Sequence, residues 1–118
     1  QDALVVDDED DLRNLLSNML QREGYEIQSA SDGEKAIALL KKQQFDLTLL
    51  DIQMPRVNGI QVLKFIQENY PSTRSIILTG YDDLKNAMEA KEFGARDSIA
   101  KPYKIDDILA SIERVLTE

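Results

Sequence analysis

The sequence predicts an α/β fold in which a parallel sheet carries helices on both faces. Short apolar runs of strand length alternate with segments of helical period along the 118 residues. Most of these runs are continuous rather than alternating, as is typical of strands buried on both sides. Because crossovers between parallel strands are right-handed, this order of elements leaves few topologies. Five strands and five helices are expected.

Each element is predicted from a local pattern, and the strands come from apolar runs between polar segments. Their predicted ranges are 3–6, 25–30, 46–50, 75–78 and 97–100. The helices come from apolar residues at helical spacing, which form one stripe on a helix surface. Their predicted ranges are 11–22, 31–42, 60–69, 83–93 and 105–116. The second strand alternates more than the others, which places it near a sheet edge.

Glycines and capping residues mark the predicted helix boundaries. Gly24 and Gly94 stand where helix C-caps belong. Ser31 and Glu34 have the spacing of a capping box, in which each side chain bonds the backbone N–H of the other residue. Gly59 is expected to permit a sharp entry of the chain into the third helix.

The composition excludes several function classes. The chain has no cysteine, which excludes disulfides, thiolate metal sites and thiol catalysis. It has no histidine, which excludes imidazole ligands, Ser-His catalysis and phosphorylation on a histidine of its own. The net charge of −8 disfavours direct binding of nucleic acid. No apolar stretch approaches the ~20 residues that a membrane helix needs. We therefore expect one globular domain over residues 1–118 that enters no membrane and resides in the cytoplasm.

Polar residues gather where the predicted strands end. The first strand is followed by Asp7 and Asp8, the third by Asp51 and the fourth by Thr79, and Lys101 comes just after the fifth. The carboxyl ends of parallel strands share one edge of the sheet, where ligands bind. If the first and third strands are neighbours, ~4.8 Å apart, Asp8 and Asp51 can share one cation.

Each of these residues also has a structural interpretation. Asp7 and Asp8 could cap the first helix, although Asp10 or Asp11 could serve instead. Asp51 could be a turn residue, Thr79 an ordinary strand residue and Lys101 a solvated loop lysine. Their joint placement at one edge favours a functional site over these separate roles.

Four motifs together resemble the receiver domain of two-component response regulators. They read LVVDDED, LLDIQMPRVNG, IILTG and IAKPY, and the resemblance extends over residues 3–116. It implies a flavodoxin-like, doubly wound five-stranded sheet of order 2-1-3-4-5 with five helices. It also implies that Asp51 accepts a phosphoryl group and that the Lys101–Pro102 peptide bond is cis.

The resemblance further implies a Mg²⁺ site and a set of partners. Asp8 would bind Mg²⁺ directly and Asp7 mainly through water, while Asp51 and the backbone carbonyl of Gln53 would complete the protein ligands. Lys101 would contribute a positive charge to the transferred phosphoryl group and Thr79 a hydroxyl donor. The phosphoryl donor would be a histidine on a sensor kinase or on a histidine phosphotransfer protein. The domain would promote only its own phosphorylation and dephosphorylation, so it would not be an enzyme acting on other substrates.

One position departs from the family pattern. Many receivers carry an aromatic residue three positions before the lysine, where this chain has Ser98. Tyr81 and Tyr103 are nearby candidates for a substitute, although both could be ordinary half-exposed tyrosines. The resemblance implies a face formed by the fourth helix, fifth strand and fifth helix as the surface for homodimerisation or output.

Charge repulsion leads to a further expectation. Three carboxylates held together without a metal repel one another, so at least one should have a raised pKa. We therefore expect Mg²⁺ to stabilise the fold, and Asp8→Asn to stabilise the metal-free protein.

Three other function classes remain open. A phosphohydrolase with an aspartyl-phosphate intermediate typically has a second Asp two residues after the nucleophile, where this chain has Gln53. A flavin or nucleotide carrier needs a phosphate-cradling loop after the first strand, where this chain has Asp7, Asp8 and Glu9. A receiver-like interaction module that is never phosphorylated is kept open by Ser98.

Overall fold

The computed structural model of the chain describes residues 1–52, 54, 57–80 and 84–118, without the side chain of Leu84. Ten elements alternate along the chain. The strands are β1 (Asp2–Val6), β2 (Glu26–Ala30), β3 (Leu47–Asp51), β4 (Arg74–Thr79) and β5 (Asp97–Ala100). The helices are α1 (Asp10–Arg22), α2 (Gly33–Lys42), α3 (Gly59–Asn69), α4 (Leu84–Glu92) and α5 (Ile105–Thr117).

All four strand pairs are parallel, and the sheet order is β2-β1-β3-β4-β5. The predicted order is therefore confirmed. From β1 the chain adds β2 on one side of the sheet and then adds β3, β4 and β5 on the other side, so the strand order reverses between β1 and β3. The register of these two strands pairs Val6 with Leu50. In open α/β sheets this reversal leaves a crevice beyond the carboxyl ends of the two strands. The residues that follow Val6 and Leu50 are Asp7 and Asp51.

The sheet divides the core into two clusters, one on each face. Leu16 and Leu20 of α1 and Ile108 and Ile112 of α5 pack on one face. The helices α2, α3 and α4 supply the buried residues on the other face. The central strands are buried on both sides, which explains their continuous apolar runs.

The two predicted C-caps are confirmed. Gly24 and Gly94 each have φ of +95°, a left-handed conformation that a side chain would strain. After α1, the N–H of Gly24 donates to the Gln21 carbonyl and that of Tyr25 to the Leu20 carbonyl, at 3.0 and 3.1 Å. This pair of bonds is the Schellman arrangement that satisfies the last carbonyls of a helix.

The predicted N-caps were wrong in two places. At α2 the cap is Asp32, whose carboxylate accepts the N–H of Lys35 at 2.8 Å, and Ser31 lies one residue earlier. The helix α1 begins at Asp10, so Glu9 occupies its N-cap position rather than Asp10 or Asp11. A capping search by residue type cannot separate adjacent candidates, because Ser and Asp favour the position almost equally.

A capping box does exist, but at α3. Asn58 accepts the N–H of Gln61 at 3.1 Å, and the Gln61 side chain accepts the N–H of Asn58 at 2.9 Å. This reciprocal pair fixes the start of α3 directly after the loop that follows Asp51. Among the helices in the described part of the chain, none is both long enough and apolar enough to cross a bilayer.

Candidate functional site

Three carboxylates meet at the crevice beyond β1 and β3. Asp7, Asp8 and Asp51 each place one carboxylate oxygen within 4.8 Å of the others. Their exposure differs, since Asp7 is buried, Asp51 is half-buried and Asp8 is exposed. The sequence prediction that these three residues come together is thus confirmed in position.

Asp7 is held rigidly by its backbone and its side chain. Its N–H donates to the Ala30 carbonyl at 3.1 Å, and its own carbonyl accepts a guanidinium N–H of Arg13 at 2.9 Å. Its Oδ1 accepts the N–H of Glu9 at 2.8 Å. The carboxylate interacts with the N–H of Glu9 rather than with a helical donor of α1, so the capping interpretation of Asp7 is wrong.

The electrostatics of the cluster favour a bound cation. Burial raises the pKa of the Asp7 carboxyl above its ordinary value of 3.8, and the charges of Asp8 and Glu9 raise it further. The hydrogen bond from the Glu9 N–H and the charge of Lys101 lower that pKa, but they do not offset the burial. A buried carboxylate beside two others carries a penalty that a divalent cation removes. The donors are all oxygens, the ligand type that Mg²⁺ prefers, so the residues fit this ion.

Gly59 fixes the backbone of Asp51 by close approach. A Cβ on Gly59 would lie 2.4 Å from the Asp51 carbonyl oxygen and 2.6 Å from the Ile52 Cα. Only a residue without a side chain permits this contact between the start of α3 and the end of β3. From the sequence, Gly59 was expected to permit a sharp chain entry. The structure gives a different reason, which is the close approach.

Thr79 and Lys101 lie at the ends of the next strands. Thr79 is buried at the end of β4, and its hydroxyl donates to the Ile99 carbonyl at 3.3 Å. The Thr79 carbonyl accepts the N–H of Lys101 at 3.1 Å. The Lys101–Pro102 bond is cis, as the resemblance implied. The lysine charge acts on Asp7, which places Lys101 in the electrostatic environment of the carboxylates.

Tyr103 lies beside this site, where the sequence predicted only a nearby aromatic residue. Its hydroxyl donates to the Thr79 carbonyl at 3.1 Å, and Lys101 Nζ lies 6.0 Å from its ring centroid. Burial raises the pKa of Tyr103, and the carboxylates of Asp51 and Asp7 raise it further. The signal that the sequence offered was an aromatic residue two positions after the lysine.

The remaining predicted residues give a mixed result. Ser98 is exposed on β5 and pairs with Ile77, whose side chain belongs to the α2, α3 and α4 face. An aromatic residue at position 98 would thus lie on the α4 side of the sheet. Gln53 and Tyr81, the predicted carbonyl ligand and one candidate aromatic substitute, lie outside the described residues.

Comparison with known proteins agrees with the fold. The response regulator receiver domain family matches residues 3–113. Sporulation initiation phosphotransferase F of Bacillus subtilis is 37% identical over 113 residues, which cover 96% of this chain and 91% of that protein. The DNA-binding transcriptional regulator NtrC of Proteus hauseri is 39% identical over 113 residues, but the match covers only 24% of its length.

Solved structures give the same result. The receiver domain of NtrX from Brucella abortus superposes with a TM-score of 0.92 at 34% identity and covers 98% of each chain. The Vibrio cholerae chemotaxis protein CheY4 superposes with a TM-score of 0.88 at 33% identity and covers 97% of each chain. With the sheet order, the carboxylate cluster and these matches in agreement, the chain belongs to the response regulator receiver domain family, a family of signalling domains.

Proposed function

We propose that this receiver domain, spanning residues 1–118, takes a phosphoryl group onto Asp51 in a Mg²⁺-dependent reaction with a phosphohistidine of a partner protein. The observation that carries the proposal is the cluster of Asp7, Asp8 and Asp51, whose carboxylate oxygens lie within 4.8 Å of one another beside the charge of Lys101. Three carboxylates this close together are costly without a cation. A cation bound among them would also offset the negative charge of a transferred phosphoryl group.

The Mg²⁺ ligands in this proposal are Asp8, bound directly, Asp7, bound mainly through water, Asp51 and the backbone carbonyl of Gln53. When bound, Mg²⁺ neutralises charge on the phosphoryl oxygens and on the carboxylates. Asp7 is buried and hydrogen-bonded, so its carboxylate is held in place beside the proposed Mg²⁺ site. Asp51, half-buried, keeps access to an incoming phosphoryl group.

The chemical step is a displacement at phosphorus. A carboxylate oxygen of Asp51 forms the new P–O bond as the P–N bond to the donor imidazole breaks, and the imidazole takes the bonding electron pair. Lys101 places its positive charge against the transferred group. The Thr79 hydroxyl can donate to a phosphoryl oxygen only after it leaves the Ile99 carbonyl, with which it is bonded at 3.3 Å.

The partners in this proposal are those of the receiver family. The donor is a histidine on a sensor histidine kinase or on a histidine phosphotransfer protein, consistent with the absence of histidine from this sequence. The net charge of −8 opposes direct contact with nucleic acid. We place the domain in the cytoplasm, away from any membrane, and assign homodimerisation or output to the face formed by α4, β5 and α5. Its only catalysis is of its own phosphorylation and dephosphorylation.

A second candidate function is a receiver-like interaction module that works without phosphorylation. Ser98 favours it, because a serine cannot fill the space on the α4 side that an aromatic residue would occupy. The intact carboxylate cluster opposes it, since such a module has no use for three repelling charges.

Intact mass after incubation with acetyl phosphate tests the proposal. The wild-type chain should gain one phosphoryl group with Mg²⁺ and none with a chelator. Asp51→Asn should gain none. Asp46→Asn is the matched control, because Asp46 directly precedes β3 at the opposite end from Asp51 and its carboxylate accepts the N–H of Asp2. Absence of both a phosphoryl adduct and beryllofluoride binding in the wild type would favour the interaction module.

A further inference from the structure

Tyr103 makes a contact that no other described aromatic side chain makes. It is half-buried between β5 and α5, and its hydroxyl donates to the Thr79 carbonyl at 3.1 Å. The same carbonyl accepts the backbone N–H of Lys101 at 3.1 Å. A carbonyl oxygen has two lone pairs, and here one bond goes to the main chain and the other to the phenol. If the Thr79 backbone moves, the Tyr103 hydroxyl must therefore move with its carbonyl or lose the hydrogen bond.

The phenol remains a donor under ordinary conditions. Burial raises the pKa of Tyr103, and the nearby charges of Asp51 and Asp7 raise it further, so the hydroxyl keeps its proton at neutral pH. Lys101 Nζ lies 6.0 Å from the ring centroid, within reach of a cation–π contact. Tyr103 thus contacts both Thr79 and Lys101, the two residues that respond to a phosphoryl group in the proposed function.

The ring lies on the side of the sheet opposite to Ser98. Tyr103 packs against the cluster that contains Ile108 and Ile112 of α5. Ser98 instead pairs with Ile77, on the face covered by α2, α3 and α4. Only Lys104 separates Tyr103 from Ile105, the first residue of α5. A movement of the ring therefore reaches the start of α5 directly, whereas Ser98 offers no side chain of comparable reach on the α4 side.

We propose that Tyr103 is a positioning residue that couples Thr79 and Lys101 to the start of α5, so that the state of Asp51 is transmitted to the α5 side of the sheet. This inference rests on the proposed function, because it needs a group on Asp51 that draws Thr79 and Lys101 towards it. The hydroxyl bond to the Thr79 carbonyl is the connection that transmits the movement, and Lys101 and Tyr103 are also joined through two peptide bonds of the main chain.

The test uses amide chemical shifts of the ¹⁵N-labelled chain with Mg²⁺, before and after addition of beryllofluoride. Two sets of amides are followed: residues 50–52, next to the acceptor, and residues 104–109, at the start of α5. The variant is Tyr103→Phe, which removes one oxygen and keeps the ring. The control is Tyr70→Phe, since the Tyr70 ring packs edge-on against Phe65 with centroids 5.8 Å apart and lies before β4, away from the carboxylates.

In the wild type and in Tyr70→Phe, both sets should shift. In Tyr103→Phe, the 50–52 set should shift as in the wild type, which also shows that the variant is folded and binds the probe. The 104–109 set should shift by roughly half as much or less, because the hydrogen bond is gone and only packing remains. Wild-type shifts at 104–109 in Tyr103→Phe would overturn the coupling role alone. An unchanged 50–52 set in the wild type would instead overturn the proposed function.

Discussion

The contact between Gly59 and the Asp51 backbone predicts the effect of Gly59→Ala. The new Cβ would lie 2.4 Å from the Asp51 carbonyl oxygen, whereas ordinary van der Waals contact begins at 3.4 Å. The nearby Ile52 Cα and Asp51 carbonyl carbon, at 2.6 and 2.9 Å, are also backbone atoms. No flexible side chain can move aside, so β3 and α3 must separate by an appreciable part of the missing distance.

The magnitude follows from this overlap. Overpacking a well-packed site costs about 1–3 kcal/mol of unfolding free energy. For a chain of 118 residues, each kcal/mol lowers Tm by about 3–6 °C, so a drop of about 3–18 °C is expected. Displacement of Asp51 should also slow its phosphorylation roughly tenfold to a hundredfold, because misplacement of a reacting group by about 1 Å costs up to ~10²-fold.

The assay combines thermal unfolding with the rate of adduct formation from acetyl phosphate, measured well below Tm. Gly24→Ala is the control, since Gly24 has φ of +95°, an added Cβ there would meet nothing within 4 Å, and the residue lies at the end of α1. Its left-handed backbone should cost about 1–2 kcal/mol without touching the site. Equal phosphorylation rates in Gly59→Ala and Gly24→Ala would refute the reasoning that Gly59 positions the acceptor.

Three further predictions concern charge and hydrogen bonding. Without metal at neutral pH, Asp7→Asn should melt above the wild type, because the raised pKa of Asp7 means that its negative charge destabilises the folded state. This penalty is absent below about pH 3.8, the pKa of an ordinary Asp. It grows as the pH rises towards the pKa that Asp7 has in the folded protein and is constant above that pKa. Mg²⁺ should then raise the Tm of the wild type by more than that of Asp7→Asn, because the variant keeps Asp8 and Asp51 but has lost the penalty that the cation offsets. Thr48→Val and Ser75→Ala should each cost about 1–3 kcal/mol in urea unfolding, but the double variant less than their sum, since the two buried hydroxyls bond each other at 2.7 Å. Asp97→Asn should lose at most about 1 kcal/mol, an effect that fades in high salt, because its partner Arg114 is 60% exposed.

Each of these has an outcome that contradicts it. An Asp7→Asn protein that melts below the wild type in chelator at neutral pH would show that its charge is not a penalty. Additive losses in the Thr48 and Ser75 cycle would show that the hydroxyls act separately. A salt-independent loss in Asp97→Asn would point to its bond with the Ser111 hydroxyl rather than to the ion pair.

The fold was predictable because its signals are local and repeated. The predicted strand at residues 3–6 lies within β1, and the one at residues 46–50 overlaps all of β3 except its last residue. Strands buried on both faces need continuous apolar residues, and the sequence shows such runs directly. Gly24 and Gly94 were predictable because the left-handed conformation at a helix end selects glycine. The capping box at Asn58 was missed, because propensity alone does not show which polar residue directs its side chain into the helix end.

The site was predictable in membership but not in its contacts. The strand ends place Asp7, Asp8 and Asp51 together once the sheet order is known. The sequence alone could not show which of the three carboxylates is buried. The expectation that Asp8→Asn stabilises the metal-free protein remains a prediction. Nor could the sequence show that Tyr103 bonds the Thr79 carbonyl, because that contact joins residues 24 positions apart in the sequence.

The two edges of the sheet determine how this chain meets other chains. Edge strands offer backbone N–H and C=O groups to which a foreign strand can add, and proteins limit this with short or polar edges. Here β2 exposes Glu26 and Gln28, while β5 has four residues and exposes Ser98. Together with the net charge of −8, these edges oppose strand addition and aggregation. A partner that docks on side chains rather than on the strand backbone can therefore bind and leave without opening any strand of the sheet.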